Sequence, residues 1–179
     1  MTPVRRWTMG LVWVGLTAAG AAWPRRAAAQ QGHFLNLGAG VSLPTGVSSE
    51  AMRNGWFTQA MGGVTLSGGI VNLRVGGTYG RSAVHGMEGG TASATSLMGG
   101  VMLTPIAIGI VVPYALADAG VLIAQYQGHA TSFAWQVGGG LLLQTGTRGW
   151  FVESRYMEAR RAKQRGGMIP VAAGVRLMW

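Results

Sequence analysis

From residue 34 onward the chain alternates apolar residues with polar or small ones. Over 34–43, Leu35, Leu37, Ala39, Val41 and Leu43 fall on one side, and Asn36, Gly38, Gly40 and Ser42 on the other. The same alternation recurs over 59–68, 70–79, 94–104, 133–143, 150–157 and 169–179, and more weakly over 111–123. A two-residue period marks a strand whose two faces meet different surroundings. These eight segments of about ten residues therefore predict eight β-strands, each long enough to cross a bilayer when tilted. The connections alternate too. Residues 44–56, 80–92, 124–132 and 158–167 are long and polar, whereas 68–70, 105–110 and 144–149 are short. This is the pattern of an all-β fold, an eight-stranded antiparallel up-and-down transmembrane β-barrel, with both termini on the short-turn side.

The polarity of the two faces decides the solvent. A soluble lipocalin-like barrel turns its apolar face inward and its polar face to water. Here one face is an almost unbroken series of Leu, Val, Ala, Ile and aromatic residues, and the other holds Gly, Ser, Thr, amides and a few charges. An eight-stranded barrel has little internal room, so the small and polar face is expected inside and the bulky face in lipid. Closure leaves no edge, as hydrocarbon demands, because each unpaired backbone group there costs several kcal/mol. Phe34, Trp56, Phe57, Tyr79, Trp150 and Trp179 lie near the ends of the expected strands, the level at which interfacial aromatic girdles form.

Composition agrees with this reading. Charged residues make up 11% of the 179 residues and Gly accounts for 31 of them, with no Cys. Soluble domains carry about 25% charged residues, so much of this surface is not built for water. Residues 1–29 read as a signal peptide: Arg5 and Arg6 open it, an apolar run follows from Met9 to Trp23, and Ala27, Ala28 and Ala29 supply a small-residue cleavage pattern. A membrane anchor is the alternative for this stretch. The Arg5-Arg6 pair also matches a twin-arginine signal, although a barrel must be exported unfolded. The barrel domain is expected over 30–179. Without Arg5, Arg6, Arg25 and Arg26 the formal charge falls from +9 to +5. The remaining excess is modest and partly local, so nucleic acid is not an expected partner.

Three stretches carry a family resemblance: Val112-Pro113-Tyr114, Phe151-Val152-Glu153-Ser154-Arg155-Tyr156, and the terminal segment from Ile169 to Trp179. Over 31–179 the chain resembles the small outer-membrane β-barrels of Gram-negative bacteria, the OmpA-like, OmpX-like and opacity-protein barrel domains. The resemblance implies residence in the cell outer membrane among lipid and lipopolysaccharide. It implies delivery by periplasmic chaperones to the barrel-assembly machinery, and a monomeric state. Trp179 takes the place of the terminal aromatic residue that the machinery recognises, which is more often Phe. The peptidoglycan-binding domain of the full-length OmpA type is not expected.

Arg74, Asp118, Glu153, Arg155 and Arg176 all fall on the face expected inside. A buried charge needs a partner, so a salt-bridge network is expected, with Asp118 and Glu153 set between the three Arg. Such a network either plugs the lumen or lines a narrow, porin-like path for ions or small solutes. Arg160, Arg161, Lys163 and Arg165 form a basic run in the fourth long loop, suited to lipopolysaccharide phosphates. His33, His85 and His129 have no ligand spacing around them, so no metal and no cofactor is expected. No His is followed two residues later by Ser, as lipid A deacylases require. The expected function is thus non-enzymatic, structural or surface-interactive, with a pore, a lipid A-modifying enzyme and a soluble lipocalin-like barrel as alternatives.

Overall fold

A computed structural model describes residues 32–66, 68–86, 90–125, 128–161 and 164–179. The export segment read at 1–29 lies outside the described residues. The strands are β1 (His33–Thr45), β2 (Met52–Thr65), β3 (Val71–Val84), β4 (Thr91–Leu103), β5 (Val111–Gln125), β6 (His129–Thr145), β7 (Arg148–Arg161) and β8 (Gln164–Met178), with a five-residue helix α1 (Val47–Ala51) between β1 and β2. Each strand pairs antiparallel with its neighbour in sequence, and β8 pairs with β1, so the sheet closes as a barrel. His33 and Trp179 seal the seam, each backbone N–H donating to the other's carbonyl at 2.9 and 3.1 Å.

Turn chemistry sets the register at the end that carries the termini. Only residues 146 and 147 separate β6 from β7, with Gly146 at φ 64°, a conformation that costs Gly nothing. The β2–β3 turn likewise places Gly68 and Gly69 at positive φ. The Thr104 hydroxyl donates to the Gly69 carbonyl at 2.7 Å and ties this turn to the next one.

At the opposite end the connections are shorter than the sequence suggests. β7 and β8 pair through Arg160↔Arg165 and Arg161↔Gln164, so most of the segment expected as a fourth loop, 158–167, is a β-hairpin. β5 and β6 similarly pair as far as Gln125↔His129. A ladder is made by backbone groups. It continues where the outer positions are polar, as at His129, Thr131, Glu158 and Arg160, and the inner ones are small, as at Ala124, Ala130 and Ala159, and so leaves no bulky apolar face to read.

The pleat sorts the side chains by polarity. Leu97, Val75, Val152 and Leu141 point outward and are 60, 58, 57 and 53% exposed. Outward positions of the described strands carry no charge between Arg148 at the terminal end and Arg53, Arg81, Glu158 and Arg160 toward the other. Asn36, Gln59, Asn72, Arg74, Asp118, Gln136, Glu153, Arg155 and Arg176 are buried inside. This is the reverse of a lipocalin-like barrel, and that alternative is set aside.

Two expectations about the interior need correction. Phe34 and Phe57 are not girdle residues; they point inward and are 2 and 6% exposed. They share strand parity with Asn36 and Gln59, and parity overrides proximity to a strand end. The interior is also not confined to small residues, since Met61, Met102, Leu142 and Phe151 are buried there. Glycines on facing strands make the room. A Cβ on Gly63 would run into the Phe34 ring, and one on Gly100 would come within 2.6 Å of Asp118 Oδ1. Trp56, Tyr79, Trp150 and Trp179 do face outward.

Candidate functional site

Three strands bring four charged side chains together inside the barrel. Arg74 on β3 holds Asp118 on β5 in a two-pronged contact, Nε to Oδ1 at 2.9 Å and Nη2 to Oδ2 at 2.6 Å. Both side chains are fully buried. A planar guanidinium matches a carboxylate in this way. Arg74 Nη1 also lies 3.9 Å from Glu153 Oε2 on β7, and Arg155 Nη2 lies 3.6 Å from Glu153 Oε1.

Neutral residues complete the cluster, and sequence reasoning did not assign them to it. Gln136 Nε2 donates to Asp118 Oδ2 at 2.7 Å. Gln59 Nε2 donates to Glu153 Oε1 at 2.7 Å, and the Tyr114 hydroxyl donates to Glu153 Oε2 at 3.0 Å. Arg155 donates back to the two amide oxygens, to Gln59 at 2.5 Å and to Gln136 at 3.3 Å, with its guanidinium 5.6 Å above the Phe57 ring. The two glutamines therefore bridge carboxylate and guanidinium, each donating to one and accepting from the other. Their inward parity is readable in the sequence; their pairing depends on which strands face each other across the lumen.

Arg176 stands apart from the expected salt-bridge network. Its Nε donates to Asn36 Oδ1 at 2.8 Å and its Nη2 to Met102 Sδ at 3.2 Å, and it lies 4.3 Å over the Phe34 ring. Among the described residues it forms no ion pair. The physical reason is position on the barrel wall: Asn36, across the β1–β8 seam in direct register with Arg176, takes the place of a carboxylate. Apolar clusters lie on either side of the polar set: Phe34, Met102, Leu142 and Phe151 in one, and Met98, Leu122, Ala134 and Met157 in the other.

The closed antiparallel barrel is shared with solved outer-membrane proteins. Neisserial surface protein A is 15% identical, with a TM-score of 0.64 over 82% of this chain and 96% of that one. This chain has the fold of the small outer-membrane β-barrels. The attachment invasion locus protein Ail of Yersinia pestis, solved in complex with the heparin analogue sucrose octasulfate, is 14% identical, with a TM-score of 0.52 over 83% of this chain and all of that one. The N-terminal β-barrel domain of Pseudomonas aeruginosa OprF is 14% identical, with a TM-score of 0.51 over 83% and 97% of the two chains. No family model and no curated protein matches the chain.

On this outer-membrane barrel fold, Arg160, Arg161 and Arg165 of the basic run lie on the last paired rungs of β7 and β8. The Arg160 side chain is 54% exposed and its Nε donates to Glu158 Oε1 at 2.9 Å. Arg161 and Arg165 are placed by their backbone pairing, and Lys163 lies outside the described residues. Trp179 is exposed and stacks on His33, with ring centroids 6.2 Å apart. Among the described residues no group of three His, Asp or Glu side chains is placed to hold a metal.

Proposed function

We propose that the chain is a non-enzymatic protein of the cell outer membrane, a monomeric barrel that keeps its lumen shut and presents its outer hairpins to the surroundings. One observation carries the reading: a closed barrel wears an uncharged apolar belt outside and seals three Arg, one Asp and one Glu inside. That arrangement places the bulky faces in hydrocarbon. Residues 1–29 serve export, and Trp179 at the end of β8 serves recognition by the assembly machinery.

The cross-strand network is read as a plug. Both carboxylates are fully engaged by guanidinium, amide or phenol groups, so neither stands ready as a general acid or base. The apolar clusters on either side add a dry barrier to ions. Purified protein in planar bilayers is expected to be electrically silent. Discrete conductance steps from the unmodified chain would replace the plug with a pore.

The hairpin tip is assigned to the phosphates of lipopolysaccharide. Clustered Arg favours polyanions, and Ail, of the same fold, is solved with a sulfated sugar. Replacing Arg160, Arg161, Lys163 and Arg165 with Gln is expected to weaken lipopolysaccharide binding by up to about a thousandfold, at roughly 1 kcal/mol for each of the four surface charges. Unchanged affinity would remove the hairpin from the function and leave the barrel.

A further inference from the structure

The polar network does not fill the lumen. On its loop side lies a cavity of about 120 Å³ whose walls include Phe57, Leu122, Met52, Met157, Met168 and Pro170. Ser42, Ser82, Ala124 and Met168 at the outer end of this space are only half buried, so it opens toward the hairpins. Arg155 and Gln136 belong to its lining. The Arg155 side chain is 1% exposed, and its Nε is a buried donor with no hydrogen-bond partner among the described residues.

Pairing distances point the same way as this orphaned donor. Asp118 is committed to Arg74 at 2.6 Å, whereas Arg155 reaches Glu153 only at 3.6 Å and shares it with Arg74. A buried cation without full compensation is costly, and Arg155 borders the cavity from which an anion would complete its pairing. Ser42, Thr78, Ser82 and Ser93 also border the cavity, but its methionine, leucine and phenylalanine walls offer no hydrogen bonds and favour an anion with an apolar part. The thioether side chains adapt readily to a flexible alkyl group.

We propose that the outer lumen is a binding site for a small monocarboxylate with a short unbranched alkyl tail, its carboxylate at Arg155 and its tail between Met157, Met168 and Leu122. At about 30 Å³ for each water-sized group, 120 Å³ takes on the order of four such groups and the open mouth takes the end of the tail, so hexanoate, a carboxylate with five tail carbons, is a suitable probe. The site is independent of the hairpin's role toward lipopolysaccharide.

The test is a hexanoate titration of the full barrel in phospholipid nanodiscs, with methionine methyl groups labelled for NMR. Saturable shifts are expected at Met157 and Met168. None is expected at Met61 and Met102, which do not line the cavity. Hexanol, equal in tail and lacking charge, is expected to bind about tenfold more weakly, since hydrogen bonds to charged groups carry that order of difference. Arg155→Met is expected to lose about the same factor for hexanoate alone. Ala124→Phe blocks the mouth without touching the network. It should abolish the shifts while the Met61 and Met102 resonances stay in place, which distinguishes a filled site from a misfolded barrel. Hexanoate shifts that do not saturate, equal affinity for hexanol, or full hexanoate affinity in the Arg155→Met protein would overturn the proposal.

Discussion

Asp118→Ala is expected to lower the unfolding free energy by about 3–5 kcal/mol, the usual effect of removing one partner from a buried ion pair, measured by urea unfolding from phospholipid vesicles. Asp118 accepts two bonds from Arg74 and one from Gln136, all within 2.9 Å. Its removal leaves the Arg74 guanidinium buried with only the 3.9 Å approach to Glu153. The effect should come from the stranded charge and not from the lost bonds, and a second variant separates the two. Arg74→Met combined with Asp118→Leu removes both charges and replaces them with apolar volume, an exchange that is often neutral. Most of the stability should therefore return. A single variant that costs less than about 1 kcal/mol would mean that the interior is wet enough to solvate Arg74.

Val137→Arg is expected to cost about 2–4 kcal/mol, the range for a lipid-facing Arg near the bilayer midplane. Val137 is 44% exposed on the outer face of β6, between Ala117 and Tyr156 on the neighbouring strands. Its guanidinium would have no inward route, because the pleat fixes the side of the wall. Ile123→Arg, two residues from the loop end of β5, should cost about 0–1 kcal/mol, since the penalty falls toward the interface. Equal costs at the two positions, both near zero, would indicate that water and not lipid covers the belt.

Much of this was legible from alternation alone. Strand number, strand order and the inward placement of Arg74, Asp118, Glu153, Arg155 and Arg176 follow from parity once one face is assigned to lipid. What alternation leaves open is depth and azimuth. Glu153 and Arg155 share a face two residues apart, yet their partners Gln59 and Gln136 come from β2 and β6, and only closure of the barrel brings these together. Arg176 has the right parity for the network and meets Asn36 instead, because β1 is its neighbour across the seam. Phe34 and Phe57 lie near strand ends yet point inward, because parity and not depth sets the side of the wall, and Gly63 in register with Phe34 leaves the space that its ring fills. The hairpin extensions of β5–β6 and β7–β8 leave no trace in the pattern, since their outer positions are polar and their inner ones are small, as at Ala124, Ala130 and Ala159.

The central claim is that lipid hydrocarbon bathes the bulky faces of these strands. The chain has no cysteine, so single Cys residues at Leu97, Val101, Val137, Leu141 and Val152 give spin labels without background. In vesicles, paramagnetic relaxation of these labels should be strong with molecular oxygen, which concentrates in hydrocarbon, and weak with a water-soluble nickel chelate. Strong relaxation by the chelate at all five positions would contradict the account.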